Sequence, residues 1–527
     1  MTQHPDLQRN VSYGDLVVGA LQRFPDRVAF RQGDVEWTYL HTADLLARWV
    51  TVLREQGLRA GEGVGVLSPN RPEVWLGQSA AGLAGGRYTA LHPLGSLDDH
   101  LYACNEAELR FLIVDPAFAE RAGELEARSD AVEKVFTMGP AGVGDARARD
   151  ILALAEQAPS SRLGPGPRSG EDVTWLLYTG GTTGVPKAAM LPDRAVVQMV
   201  KGVALGWDLP RPMRYLACAP ITHAAGCLIM PALLSGGTVT LQRGFDPEAW
   251  LRAVPAVNAN LGLLVPTMIY AVLDHPALDG TDLSSLETVM YGASPMSPTR
   301  MAEALERLGQ VFCQLYGQTE SGALGTSLWR DDHDRSDLAR LATCGKPMPG
   351  CRVAILDDDG QPVEDGSPGE ICIQGRSVML GYYKQPELTE ETFCHGWLHT
   401  GDIAVRDEQG FYTIVDRKKD MIVSGGFNVF PREIEDVLST HPAVSSAAVI
   451  GVPDDKWGEA VKALVILRPD AELDPRELIA LVKERKGAIY APKSVELVDE
   501  LPLTPVGKPD KKVLRARYWK GERRLVH

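Results

Sequence analysis

The stretch "LLYTGGTTGVPKAAML", residues 176–191, decides how the rest of the chain is read. Three apolar or aromatic residues run into Thr179, Gly180, Gly181, Thr182, Thr183 and Gly184, and Lys187 follows a proline. A strand ending in glycines and threonines can turn several backbone N–H groups toward one anion. Glycine lets the backbone approach closely and adopt positive φ. The threonine hydroxyls add donors, and Lys187 adds a point charge suited to phosphate. The Walker A order is not met, because Lys187 follows Val185 and Pro186 and precedes Ala188. Taken alone, the segment reads equally well as a Gly/Thr surface turn, so its surroundings must decide.

Toward the N-terminus, amphipathic runs such as "TADLLARWVTVLREQGL" alternate with short apolar runs such as "GVGVLS" and "FLIVD". Helical spacing beside buried-strand runs predicts βαβ units on a parallel sheet. The Gly/Ala/Pro-rich stretches "GPAGVGDARAR" and "APSSRLGPGPRSG" read as a surface connection. Strands resume with "TWLLYTG", "YLACAP", "TVTLQ" and "ETVMYGAS". After about residue 350, "CRVAILDDDGQPVEDGSPGEICIQG" predicts a compact β unit with Asp/Gly turns. The last hundred or so residues alternate again, from "PREIEDVLSTH" to "KSVELVDEL", as a small α+β domain. A boundary is expected in the charged run "DRKKDM".

A chain of 527 residues is too long for one core. With 44% hydrophobic and 23% charged residues it is a folded chain, not a disordered one. A net charge of −15 repels nucleic acid and anionic membrane surfaces, yet leaves room for a small basic pocket. The eight cysteines form no C-x-x-C pair, which speaks for reduced, mostly buried thiols in a cytoplasmic protein. "MTQHPDLQRNVSYGDL" lacks the order of a signal peptide, and "CLIMPALL" is far shorter than the ~20 residues of a membrane span. Secretion and stable membrane insertion are therefore not expected.

Further motifs follow the glycine-rich loop in order: "QLYGQTES" (314–321), "HTGD" (399–402), "DRKKDMIVSGG" (416–426) and "LPLTPVGK" (501–508). With these, the chain resembles the adenylate-forming superfamily of acyl-CoA synthetases, luciferases and peptide-synthetase adenylation enzymes, on the acyl-CoA ligase side. The resemblance covers nearly the whole chain. It implies an α/β fold: a large N-terminal domain, 1–418, with stacked mixed sheets flanked by helices plus a β subdomain, and a small mobile α+β C-terminal domain, 419–527. It also implies a two-step reaction. A carboxylate attacks the α-phosphate of ATP, giving acyl-AMP and pyrophosphate; the small domain then turns, and the thiol of coenzyme A attacks the acyl carbonyl. The expected ligands are ATP or acyl-AMP, coenzyme A and Mg²⁺, with a carboxylic acid as substrate; a homodimer is compatible with the family.

The resemblance assigns roles position by position. Thr179, Gly180, Gly181, Thr182, Thr183, Gly184 and Lys187 would hold the β- and γ-phosphates. Tyr316 would lie against adenine, with Gly317 beside it. Thr319 would contact the α-phosphate, and Glu320 would hold Mg²⁺. Asp402 would accept the ribose hydroxyls, supported by Arg417. Lys508 would neutralise charge in the adenylation step. His223 in "APITHAAG" would border and gate the acyl pocket, with Gly226 leaving room. Gly292, Ala293 and Ser294 in "YGASPM" would allow close approach of ligand and backbone. Lys419 matches the hinge, Gly425 and Gly426 a pantetheine tunnel, and Trp457 a stacking partner for the coenzyme adenine. Alone, each has a structural reading: Asp402 as a turn or N-cap residue, Lys508 as a solvated lysine, His223 as a packed histidine.

Two positions depart from the family pattern. Gly180 stands where serine is common, and Ala188 where glycine is usual. If Ala188 needed positive φ, its methyl would cost about 1 kcal/mol; otherwise almost nothing. Both changes touch phosphate binding more than thioester formation. They therefore keep open an enzyme that only thioesterifies supplied acyl-AMP, beside one that loads a carrier protein and a non-catalytic acyl-nucleotide binder. The neutral, roomy segments favour a hydrophobic acid.

Overall fold

The computed structural model describes residues 10–140, 149–179, 186–418, 420–424, 427–454, 457–469, 471–504 and 509–519. Gly180, Gly181, Thr182, Thr183, Gly184, Lys419, Gly425, Gly426 and Lys508 lie outside these residues.

Two large sheets carry the bulk of the chain. The first has seven strands in the spatial order Arg149–Asp150, Lys134–Thr137, Leu109–Val114, Gly63–Leu67, Arg87–Leu91, Val173–Thr179 and Lys187–Pro192. Every pairing is parallel except the last, which is antiparallel. The second has nine strands. Its centre, from Phe312–Tyr316 through Thr288–Gly292, Leu261–Leu264, Arg214–Ala217 and Thr238–Leu241 to Val28–Gln32, is parallel, and its flanks are antiparallel. The strand runs read from the sequence are all found here.

One core joins both sheets, with Phe30, Tyr215 and Val239 from one and Val64, Phe111 and Trp175 from the other. Helices fill the space between. Tyr39–Glu55 starts on Thr38, whose hydroxyl accepts from His41 N, and it buries Trp49. Pro72–Ala84 starts with proline in its first turn, ends on Gly85 at φ 104°, and is buried nearly all round, as expected of a helix apolar on every face. The second of the two stretches read as a surface connection, 158–170, does run over the surface, with 159–162 exposed, and is tied down at a few points. Leu163 is buried, Pro165 lies against Gly14, and Gly166 lies against Leu83. Proline and glycine there serve close backbone contact as well as turning.

The β unit is a four-stranded antiparallel sheet of Cys351–Leu356, Gly369–Gly375, Leu398–Arg406 and Tyr412–Arg417. The next strand, Ile422–Ser424, belongs to a separate five-stranded sheet with Phe427–Val429, Gly458–Leu467, Val444–Asp454 and Ser494–Leu497. Helices Pro431–Ser439 and Pro475–Lys486 pack on it. The C-terminal part meets the rest through polar contacts. The helix Pro431–Ser439 has no side-chain cap of its own; Asp416 Oδ2 accepts from Arg432 N at 3.0 Å in its place. Ser297 Oγ donates to Ser439 Oγ at 2.7 Å, Arg432 donates to the Met296 carbonyl, and Arg468 pairs with Glu303 at 3.4 Å.

Among the described residues all eight cysteines are free, five of them buried. No helix among them is long and apolar enough to cross a membrane.

Candidate active site

The strands on either side of the glycine-rich stretch pair antiparallel. Thr179 closes one strand and Lys187 opens the next, directly opposite it in register. Ala188 pairs with Tyr178 inside that strand, in extended backbone, and is fully buried. Its methyl needs no positive φ, so the conformational cost considered for it does not arise.

Thr179 and Lys187 are brought to a carboxylate far along the chain. Thr179 Oγ1 donates to Glu320 Oε1 at 3.3 Å. Glu320 is buried in the short helical turn Thr319–Ser321. That turn is tightly made: Gln318 N donates to Ser321 Oγ at 3.1 Å, and Gly322 closes it in the left-handed region at φ 62°. A Cβ on Gly317 would lie 2.6 Å from the Ala323 carbonyl carbon, so this glycine is needed by the turn itself. Thr319 opens the same turn.

A second cluster surrounds Asp402. Its strand pairs with the strand of Arg417, and the two residues are partners in register. Arg417 Nε forms an ion pair with Asp402 Oδ1 at 2.8 Å. Tyr316 Oη donates to Oδ2 at 2.8 Å, and Gln318 Nε2 to the same oxygen at 3.0 Å. The adjacent Asp402 carboxylate, above all, pushes the Arg417 guanidinium up, and Tyr316, Asp420 and Glu320 add to it. Burial raises the Tyr316 phenol, and Asp402 raises it further. The two clusters are thus one charged surface joined by the 316–320 turn.

Gly292, Ala293 and Ser294 border it. They follow the strand Thr288–Gly292, which runs parallel to the strand ending at Tyr316. Both segments therefore leave the carboxyl ends of neighbouring parallel strands, where open α/β sheets place ligands. A Cβ on Gly292 would sit 2.2 Å from the Leu315 carbonyl oxygen, and Ala293 holds φ 62° without being glycine. The close approach at Gly292 is thus to the protein's own backbone.

His223 precedes the turn Ala224–Leu228. Its Nδ1 lies 2.9 Å from Thr222 Oγ1, and its ring meets the His92 ring edge-on at 5.0 Å. Burial, then the neighbouring His92, lowers its pKa to about 4, so the ring is neutral at ordinary pH. Gly226 is required by the fold itself: a Cβ there would lie 2.1 Å from the Ile221 carbonyl oxygen. Cys227 Sγ reaches Met199 Sδ at 3.6 Å beside it. Trp457 lies in the turn just before the strand Gly458–Leu467 of the C-terminal sheet, 38% exposed, with Lys493 Nζ 5.3 Å from its ring centre.

Two residues were not singled out by sequence reasoning. Gln318 lies inside a quoted motif, and only the fold shows its amide on Asp402 and on the Thr400 carbonyl, at 2.8 Å. Tyr382 lies in "LGYYKQPE", which carries no chemical pattern. It donates to Glu320 Oε1 at 2.8 Å and stands 3.5 Å from Lys187 Nζ.

Comparison with known proteins places the chain in a family. The family model for AMP-binding enzymes matches residues 19–383, and that for the AMP-binding enzyme C-terminal domain matches 433–508. A medium/long-chain fatty acid–CoA ligase of Mycobacterium tuberculosis is 45% identical, over 97% of this chain and 91% of its own. A feruloyl-CoA synthase of an Amycolatopsis species is 37% identical, over 97% of this chain and 100% of its own. Among solved structures, the amide bond synthetase McbA of Marinactinospora thermotolerans superimposes with a TM-score of 0.87 at 33% identity, covering 96% of this chain and 99% of that one.

Proposed function

The chain belongs to the AMP-binding enzyme family, and on that premise we propose that it is an ATP-dependent, AMP-forming acyl-CoA ligase that activates a hydrophobic carboxylic acid through acyl-AMP and transfers the acyl group to coenzyme A. The observation that carries this reading is the convergence of Thr179, Lys187 and Glu320 with Tyr316, Asp402 and Arg417, where strand ends of the two large sheets meet the antiparallel strands of the β unit. Phosphoryl chemistry is mostly positioning and charge neutralisation, and this surface offers both.

Lys187 would meet the terminal phosphates, and Asp402 with Arg417 the ribose. Glu320 fits Mg²⁺: it is a buried carboxylate with hydroxyl oxygens of Thr179 and Tyr382 beside it, the hard oxygen set that ion prefers. When bound, the ion would neutralise phosphate charge. Neutral His223, followed by the turn whose Cys227 meets Met199, would give the acyl side an uncharged wall suited to an apolar acid. Lys508, from beyond a hinge at Lys419 between domains 1–418 and 419–527, would complete the adenylation site. Gly425, Gly426 and Trp457 would serve coenzyme A after the small domain turns. A cytoplasmic location and a homodimer accompany this reading.

The test is a panel of medium-chain, aromatic and alicyclic acids, read by acid-dependent pyrophosphate exchange and by acyl-CoA formation. Both signals with one acid are expected. Acyl-CoA formation only from supplied acyl-AMP would point to the partial-reaction enzyme instead. The likeness to an amide bond synthetase favours adding amines as competing acceptors; amide in place of thioester would overturn the assignment of coenzyme A.

A further inference from the structure

The segment around Tyr382 is stitched to both halves of the phosphate site by its backbone. Met379 N donates to the Glu320 carbonyl at 2.9 Å. Leu380 N donates to Met190 O, Met190 N to Gly381 O, and Tyr383 N to Ala188 O. This makes a short antiparallel strip along the strand that begins at Lys187, with Ala189 and Tyr382 as partners. Tyr382 N also lies 2.9 Å from Thr389 Oγ1. The position of residue 382 is therefore set without help from its side chain.

That side chain is buried and lies between opposite charges. Its hydroxyl proton goes to Glu320 Oε1 at 2.8 Å, so an oxygen lone pair is left to face Lys187 Nζ at 3.5 Å. The Lys187 ammonium also stands 4.6 Å from the centre of the ring. Lys187 forms no ion pair with any described residue. An ammonium and a buried carboxylate this near each other would ordinarily pair directly, because their attraction strengthens away from bulk water. A direct pair would neutralise the two groups the reaction needs, and an incoming triphosphate with its metal would have to break it.

We propose that Tyr382 is a positioning residue for adenylation: a neutral spacer that satisfies Lys187 and Glu320 at once, keeps them from pairing with each other, and leaves the cation for phosphate and the carboxylate for the metal. This rests on the reading that the site adenylates an acid with ATP.

The test compares wild type, Tyr382→Phe, Tyr382→Leu and, as a conformational control, Tyr383→Phe, whose hydroxyl faces Glu108 instead. Three quantities are measured. They are ATP binding by calorimetry without acid, in EDTA and in Mg²⁺; pyrophosphate exchange against Mg²⁺ concentration; and thioester formation from supplied acyl-AMP. Loss of the bridging hydroxyl in Tyr382→Phe is expected to raise half-saturating Mg²⁺ and lower exchange about tenfold, the weight of one hydrogen bond to a charged group. The ratio of exchange to thioester formation falls by a similar factor. Tyr382→Leu, which lets Lys187 and Glu320 meet, is expected to weaken ATP binding in EDTA as well. Equal loss of both half-reactions in Tyr382→Phe with a lowered melting temperature would show a structural role and overturn the proposal. So would unchanged ATP and Mg²⁺ dependence in Tyr382→Leu. If wild type itself binds no ATP, the adenylation reading falls together with the spacer; if wild type binds ATP and the variants match it, only the spacer falls.

Discussion

Replacing Asp402 by Asn keeps the side chain's shape and exchanges one carboxylate oxygen for a nitrogen that can only donate. In the structure three groups converge on this carboxylate: the Arg417 guanidinium pairs with Oδ1, and Tyr316 Oη and Gln318 Nε2 donate to Oδ2. A carboxylate has about four lone-pair sites, so roughly one is left for a ribose hydroxyl. Whichever way the Asn amide turns, its NH₂ faces either Arg417 or Gln318, and a donor meets a donor. Asp402 is 3% exposed, so water cannot repair the mismatch. A hydrogen bond to a charged group is worth about 1.5–3 kcal/mol, so a loss of about 10- to 100-fold in kcat/KM for ATP is expected. The assay is pyrophosphate exchange with varied ATP, repeated with 2′-deoxy- and 3′-deoxy-ATP. If the carboxylate holds the ribose, wild type discriminates against at least one analogue and Asp402→Asn loses most of that discrimination. A variant as weak as expected but still discriminating by the full wild-type factor would refute the ribose assignment and leave Asp402 only a structural role. No change in kcat/KM would refute the reasoning from its three partners as well.

Lys508→Ala is expected to abolish acyl-AMP formation while sparing thioester formation from supplied acyl-AMP, and Gly426→Leu to do the reverse; equal damage to both half-reactions in both variants would exclude alternation of one small domain. Gly226→Ala places a methyl 2.1 Å from the Ile221 carbonyl oxygen, so chemical unfolding should show a loss of about 2–3 kcal/mol with the order of preferred acids unchanged. His223 and His333 are both held neutral, chiefly by burial, at about 4 against an ordinary 6.5. The native state then binds fewer protons than the unfolded chain between those values. Their penalty is absent above about pH 6.5, grows as pH falls, and is complete below about pH 4, at about 3 kcal/mol for each ring. Urea unfolding from pH 7.5 to 4.5 checks this, and His333→Asn should flatten part of the slope.

Local patterns in the chain were enough for its strands and helices, and for the roles its motifs suggest. The apolar runs at 63–67, 109–114, 173–179 and 288–292 became strands because period and composition act over a few neighbours. The motifs of Tyr316, Glu320, Asp402 and Arg417 were legible because each is a short turn or strand end with its own local logic. What lay beyond such reading depends on contacts between residues far apart in sequence. That Glu320 meets Thr179, 141 residues away, that Gln318 clamps Asp402, and that Tyr382 stands between Lys187 and Glu320 follow only from how the sheets and the 316–324 turn are stacked. The glycines make the same point. Gly226 and Gly292 were read as room for a ligand, and only the fold shows that each is also required by a carbonyl pressing within about 2 Å of where a methyl would go. Ala188 looked like a cost and is none, since an antiparallel partner at Tyr178 holds it extended. Propensity and pattern are properties of adjacent residues; a distance between side chains is a property of packing, and it exists only once the chain has closed.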